Sequence, residues 1–154
     1  MREIYQQITG RLLSQSEVVG AVGQNTTYDE ATDQYAIRPG QLDENDPYPG
    51  IVLALPTIVY DDDLGGVARY AKATLETRCL SLDLNLAWSL REAIAYDDGE
   101  PDDGNGLHGY SAGGILACQL QSDTEDTFEF GDDSDRLLFV VTSVYQLEID
   151  EGEL

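Results

Sequence analysis

The stretch 56–96, PTIVYDDDLGGVARYAKATLETRCLSLDLNLAWSLREAIAY, constrains the fold more than any other part of the chain. Thr57, Ile58, Val59 and Tyr60 are β-branched or aromatic, and three acids followed by Leu64, Gly65 and Gly66 break the run where a hairpin connection belongs. From Tyr70 to Leu82 the chain alternates. Ala71, Ala73, Leu75, Thr77 and Cys79 fall on one face and Lys72, Thr74, Glu76 and Arg78 on the other, the period of a half-buried strand. Ser81 or Asp83 can then cap a helix, because a short side-chain oxygen there accepts an unpaired N–H of the first turn. Over that helix, to about Tyr96, Leu84, Ala87, Trp88, the methylene stem of Arg91, Ile94 and Ala95 form one stripe that can lie on the hairpin.

Around this unit the pattern predicts an α+β domain in the order α-β-β-β-α-β-β. A largely antiparallel or mixed sheet of about five strands carries two helices on one face. The first helix is expected over residues 2–19, with Ile4, Ile8, Leu12 and Val19 at near-helical spacing and Gly20 as its stop. A short strand at residues 35–38 closes on Pro39-Gly40. The run Ile51–Leu55 meets Pro56, which cannot donate to a central ladder and so marks a strand start, an edge or a bulge. Residues 115–121 read as a weak strand and 122–135 as an acidic connection. Residues 136–149 form the longest strand, apolar on both faces and therefore interior to the sheet. Its inward set is either the one through Leu137, Val141 and Tyr145 or the alternate one through Leu138, Val140 and Val144. A length of 154 residues suits a single domain spanning 1–154.

Thirty acids against eight bases leave a net charge of -22, and Lys72 is the only lysine. An acidic surface nearly without lysine suits a salt-loaded cytoplasm, where the Debye length falls to about 3 Å at 1 M salt and self-repulsion is screened. No basic patch exists to neutralise nucleic-acid phosphates. Nor does any stretch approach a membrane span or the apolar core of a signal peptide, so the chain is expected to fold in a cytoplasm. Cys79 and Cys118 read as two buried free thiols rather than a disulfide or a metal pair.

Gly109-Tyr110-Ser111-Ala112-Gly113 matches the nucleophile-elbow pattern of serine hydrolases. An elbow follows a buried strand and needs a later histidine as base, whereas here an acidic loop precedes it and the only histidine, His108, lies upstream. The glycines read better as the entry to a strand. The acid clusters at 61–63, 97–103 and 123–135 lack the spacing of a calcium loop and predict weak, exchanging cation binding. The sequence therefore predicts no catalytic residues, no metal site and no cofactor.

Taken together, the first helix, the strand ending Arg-Pro-Gly, LPTIVY, the strand ending TRCLSL, the helix AWSLREAI and the last strand RLLFVVTSVYQLEI resemble the tail terminator (tail-completion) family of long-tailed bacteriophages and related archaeal viruses. The resemblance covers most of residues 1–149. It implies a virion structural protein assembled in the host cytoplasm and placed at the tail-neck junction. Its subunits would form a homohexameric ring that caps the tail tube, stops its polymerisation and joins it to the head-side connector. Genome DNA would pass through the lumen without sequence-specific binding. With the acidic composition, a tailed virus of a haloarchaeon is implied. The long loops 24–35 and 97–110 depart from the shorter family pattern. Another neck component, a stopper or head-tail connector, is the alternative within this class, and a small acidic metal-dependent enzyme the alternative outside it. A subunit or tube interface is expected at Asp61, Asp62, Asp63, Leu64, Gly65 and Gly66, where a leucine stands among acids at a hairpin tip, and at His108 and Tyr110 of the long loop.

Like-charge repulsion in the folded state is worst at low ionic strength. The melting temperature should therefore climb as potassium chloride is raised from about 0.1 M to about 2 M, and a flat profile would remove the halophile argument.

Overall fold

The computed structural model describes residues 2–61, 70–101, 103–130 and 133–154. Its elements are helices α1 (Arg2–Leu13) and α2 (Ser16–Ala21), strands β1 (Ile37–Pro39), β2 (Gly50–Tyr60) and β3 (Tyr70–Ser81), helix α3 (Leu84–Tyr96), and strands β4 (Ile115–Phe130) and β5 (Asp133–Asp150). The strands form one sheet in the order β1-β2-β3-β5-β4. β1 runs parallel to β2 and the other neighbours are antiparallel. The fold is α+β with a mixed five-stranded sheet.

The alternation of β3 has the predicted phase, with Ala71, Ala73, Leu75, Thr77, Cys79 and Ser81 buried. β5 lies beside it, interior to the sheet, and the inward set of its two candidates is Val141, Ser143, Tyr145, Leu147 and Ile149. Ile4, Ile8 and Leu12 of α1 and Ala87, Leu90 and Ile94 of α3 share one core with these residues, so both long helices cover the same face. Both cysteines are free and buried. Burial pushes the Cys118 thiol up to about 12 and that of Cys79 higher still.

Of the two candidate caps of α3, Asp83 acts: its carboxylate accepts from the N–H groups of Asn85 (2.8 Å) and Leu86 (3.4 Å). The Ser81 hydroxyl oxygen accepts from the Asp83 N–H and so holds the cap residue, not the first turn. Pro56 lies in a bulge, where the β2–β3 register slips between Ala54 and Thr57. That slip takes Leu55 out of the ladder, and its N–H donates instead to the Tyr5 hydroxyl of α1 at 3.0 Å. A helix–sheet bond thus satisfies a donor that the proline displaced.

Two expectations need correction. The first helix does not continue to Val19: it breaks at Ser14 and Gln15, giving three helices instead of two, and Gly20 lies inside α2. The cause is tertiary. The Gln15 amide turns inward and donates to the carbonyls of Ala93 (2.8 Å) and Ile94 (3.1 Å), which also accept the N–H groups of Asp97 and Leu107, so the break ties the end of α1 to the end of α3. Residues 122–130 are strand, not connection, because β4 continues opposite β5 through pairs such as Thr124 with Thr142 and Phe128 with Leu138. Thr124, Thr127 and Phe128 favour a strand, while the interleaved acids suit a solvated sheet edge.

Replacing Tyr5 with phenylalanine removes the acceptor for Leu55 and should cost about 1 kcal/mol, and Leu75→Ala at the sheet centre should cost about 2–5 kcal/mol. Equilibrium denaturation in high salt measures both; a Y5F protein as stable as its parent would show that the bulge bond contributes nothing.

Candidate functional site

Of the residues selected from sequence, Asp61 is the last described before the hairpin tip, and its N–H bonds the Tyr70 carbonyl at 2.9 Å. Asp62, Asp63, Leu64, Gly65 and Gly66 lie outside the described residues. The structure brings the end of the second loop to the same end of the sheet. Tyr70 pairs with Asp150, and the Asp150 N–H donates to the Gly114 carbonyl (2.8 Å), which places Gly114 and Ile115 beside the hairpin. A groove of about 220 Å³ there is lined by Asp61, Tyr70, Lys72, Leu116 and Glu148 among others. Tyr70 and Leu116 of its lining are exposed, as are Val59 and Tyr60 on the neighbouring strand β2.

His108 and Tyr110 sit further back along that loop and hold it to the body. The His108 ring accepts the Leu120 N–H at Nδ1 (3.0 Å) and meets Tyr96 edge to face. Arg11 stacks over the Tyr110 ring at 4.8 Å and donates to the carbonyls of Gly104 and Gly106. Gln7 reaches the Ala112 carbonyl at 2.6 Å. Leu107 beneath is fully buried. Gly106 is required at its position, since a Cβ there would stand 2.2 Å from the Ala95 carbonyl oxygen. These bonds turn a long polar loop into a fixed surface next to the hairpin end. Ser111 is exposed on it, preceded by loop and not by a buried strand.

Sequence reading missed a second constellation, on α3 and β4. Arg91, only 9% exposed, forms a two-pronged pair with Asp123 (2.9 and 2.7 Å), and Ser143 of β5 donates to the same carboxylate at 2.6 Å. One turn earlier the Trp88 indole N–H donates to Glu125 at 2.7 Å. Burial alone would raise the Asp123 carboxyl, but the hydrogen bonds from Arg91 and Ser143 and the arginine charge outweigh it and hold the group below the usual carboxylate range. Spacing marked Arg91 as a stripe residue through its stem. No signal within α3 named its partner, which comes from a segment that reads as a connection.

Among the described residues no three histidine, cysteine, aspartate or glutamate side chains come together as a metal site, and no helix is long and apolar enough to cross a membrane. Neither a family model nor a curated protein matches the sequence. Among solved structures, the chain is similar to a chain from the virion of a native gene transfer agent particle. The TM-score is 0.57 with 11% identity, over 93% of this chain and 91% of that one. At that identity the likeness is one of fold.

The Asp123 carboxyl is lowered in the folded protein, so its stabilisation is complete above the ordinary carboxylate value of about 4 and is lost as pH falls through the lowered value. Asp123→Asn should cost about 1–2 kcal/mol near neutral pH, discounted for partial exposure. The gap from the parent should close in acid. A gap that stays constant down to the most acidic accessible pH would show that the pair is not ionic.

Proposed function

We propose that this protein is a non-enzymatic virion structural protein, a tail terminator whose subunits form a hexameric ring on the last ring of tail tube protein. The ring stops tube growth and presents its other side to the head-side connector. The observation that carries this reading is the backbone likeness to a chain of a phage-like particle, which spans nearly the whole of both chains. The motif-level resemblance from LPTIVY to RLLFVVTSVYQLEI supports it and supplies the position in the tail. The acidic surface is compatible with a lumen that lets DNA pass without gripping phosphates, and with a haloarchaeal host.

The exposed apolar residues add a physical argument. Val59, Tyr60 and Leu116 are exposed at the hairpin end of the sheet, while Leu82, Leu86 and Phe128 are exposed toward the opposite end. Large apolar side chains exposed at both ends suit a subunit stacked between two partners. In this reading Asp61 to Asp63, Leu64, Gly65 and Gly66, with the loop held by His108 and Tyr110, form the surface that meets the tube.

Tail tube protein polymerised with and without this protein provides the test. Short, uniform, capped tubes are expected with the parent. Leu116→Asp, at a position 48% exposed, should leave the subunit folded while reducing capping. Tubes that lengthen equally with and without the protein would exclude the terminator role.

A further inference from the structure

We propose that the turn at residues 107–110 is a pH-sensitive latch on the free edge of the sheet, closed while the His108 imidazole is neutral and released when the ring takes up a proton. The latch belongs to the single subunit and works whatever that subunit assembles into.

β4 is the last strand of the sheet, paired with β5 on one side only. An edge of this kind presents a row of backbone groups without partners unless something covers it. The loop after α3 covers its first part. Leu107 is fixed by donating its N–H to the Ile94 carbonyl at 2.8 Å, and the Tyr110 N–H closes a turn on the Leu107 carbonyl at 3.1 Å. Gly109 takes the third position of that turn with φ of 85°, which a residue lacking Cβ adopts readily. The turn aims two groups at β4. The Gly109 N–H donates to the Cys118 carbonyl at 2.7 Å, and two residues along the strand the Leu120 N–H donates to Nδ1 of His108 at 3.0 Å. A ring nitrogen thus stands where a further strand would offer a carbonyl.

That bond exists in one protonation state. Nδ1 accepts only with a free lone pair, so the closed latch holds a neutral ring with its proton on Nε2. A second proton goes to Nδ1, where it faces the Leu120 N–H, donor against donor, and the bond cannot form. The groups around the ring do not titrate in its place. From α3 come the Tyr96 ring, edge to face at 6.1 Å, and Arg91, which lies over the Tyr96 ring and is paired with Asp123. β4 contributes the Cys118 thiol, which burial pushes up to about 12. From α1, Arg11 is committed to the Tyr110 ring and to the carbonyls of Gly104 and Gly106. Among the described residues no carboxylate forms an ion pair with His108, so none holds an imidazolium in the closed position. Histidine alone of these residue types ordinarily changes charge between about pH 5 and 8, so the latch is shut in mild alkali and loosens as pH falls. Arg11 and Gln7 still fasten the loop on either side, which confines the release to the turn and the edge beneath it.

His108 is the only histidine and gives a single set of imidazole signals, so nitrogen NMR of the full chain in about 2 M potassium chloride, from about pH 8 to about pH 5, follows the switch directly. At the alkaline end the ring should be the Nε2–H tautomer. As it charges, the protection of the Leu120 and Gly109 amides against hydrogen exchange should fall about tenfold relative to that of Cys79 on the interior strand β3. His108→Asn, whose Oδ1 can take the place of Nδ1 and does not titrate, should keep the alkaline ratio throughout. His108→Leu should show the low ratio from the start. An Nδ1–H tautomer at the alkaline end, a parent ratio that stays constant through the titration, or a His108→Asn protein that loses protection as steeply as the parent would each overturn the latch.

Discussion

The ladder between β3 and β5 is the constraint on which the rest of the structure depends. It pairs Tyr70 through Ser81 with Asp150 through Phe139 in unbroken register, joining segments far apart in the chain. Because side chains alternate, this one register sets which residues α1 and α3 bury and which remain on the helix-free face; a slip of one residue would expose Leu75 and Tyr145 together. β2 and β4 then add to its two sides. The end of the ladder at Ser81 also defines where β4 and β5 leave the sheet as a ribbon.

Onto this frame the helices are fastened by a few polar groups whose partners are remote. Gln15 binds the carbonyls of Ala93 and Ile94 in the last turn of α3, Tyr5 satisfies the N–H released by the Pro56 bulge, and Arg91 pairs with Asp123 under the hydroxyl of Ser143. In a strongly acidic molecule these arginine contacts have a second consequence. Arg11, Arg38 and Arg91 are all directed inward or along the surface to carbonyls and carboxylates of their own chain, so the outer surface keeps its acidic character. The chain uses its few cations to hold loops and helices in place.

What the sequence revealed follows the range of the interactions. The phase of β3, the stripe of α3, the cap at Asp83 and the irregularity at Pro56 were legible because each depends on neighbours within a few residues. The break at Gln15 was not, since helical spacing continues through it and only the distant carbonyls of Ala93 and Ile94 explain it. The acidic half of β4 was hidden for a similar reason. Charge suggested a connection, whereas cross-strand pairing with β5 makes it an edge strand. For the candidate site, the sequence offered the hairpin end and the loop of His108 and Tyr110 as two separate stretches. Their approach through Gly114, Asp150 and Tyr70 requires the sheet.

The central claim is that this sheet, with exposed apolar residues toward both ends, is one segment of a closed ring. Electron microscopy of the isolated parent protein in molar salt addresses it most directly. The account predicts class averages of closed rings with six-fold symmetry and a central opening. Particles of monomer size at every salt concentration, or open filaments without closure, would contradict it.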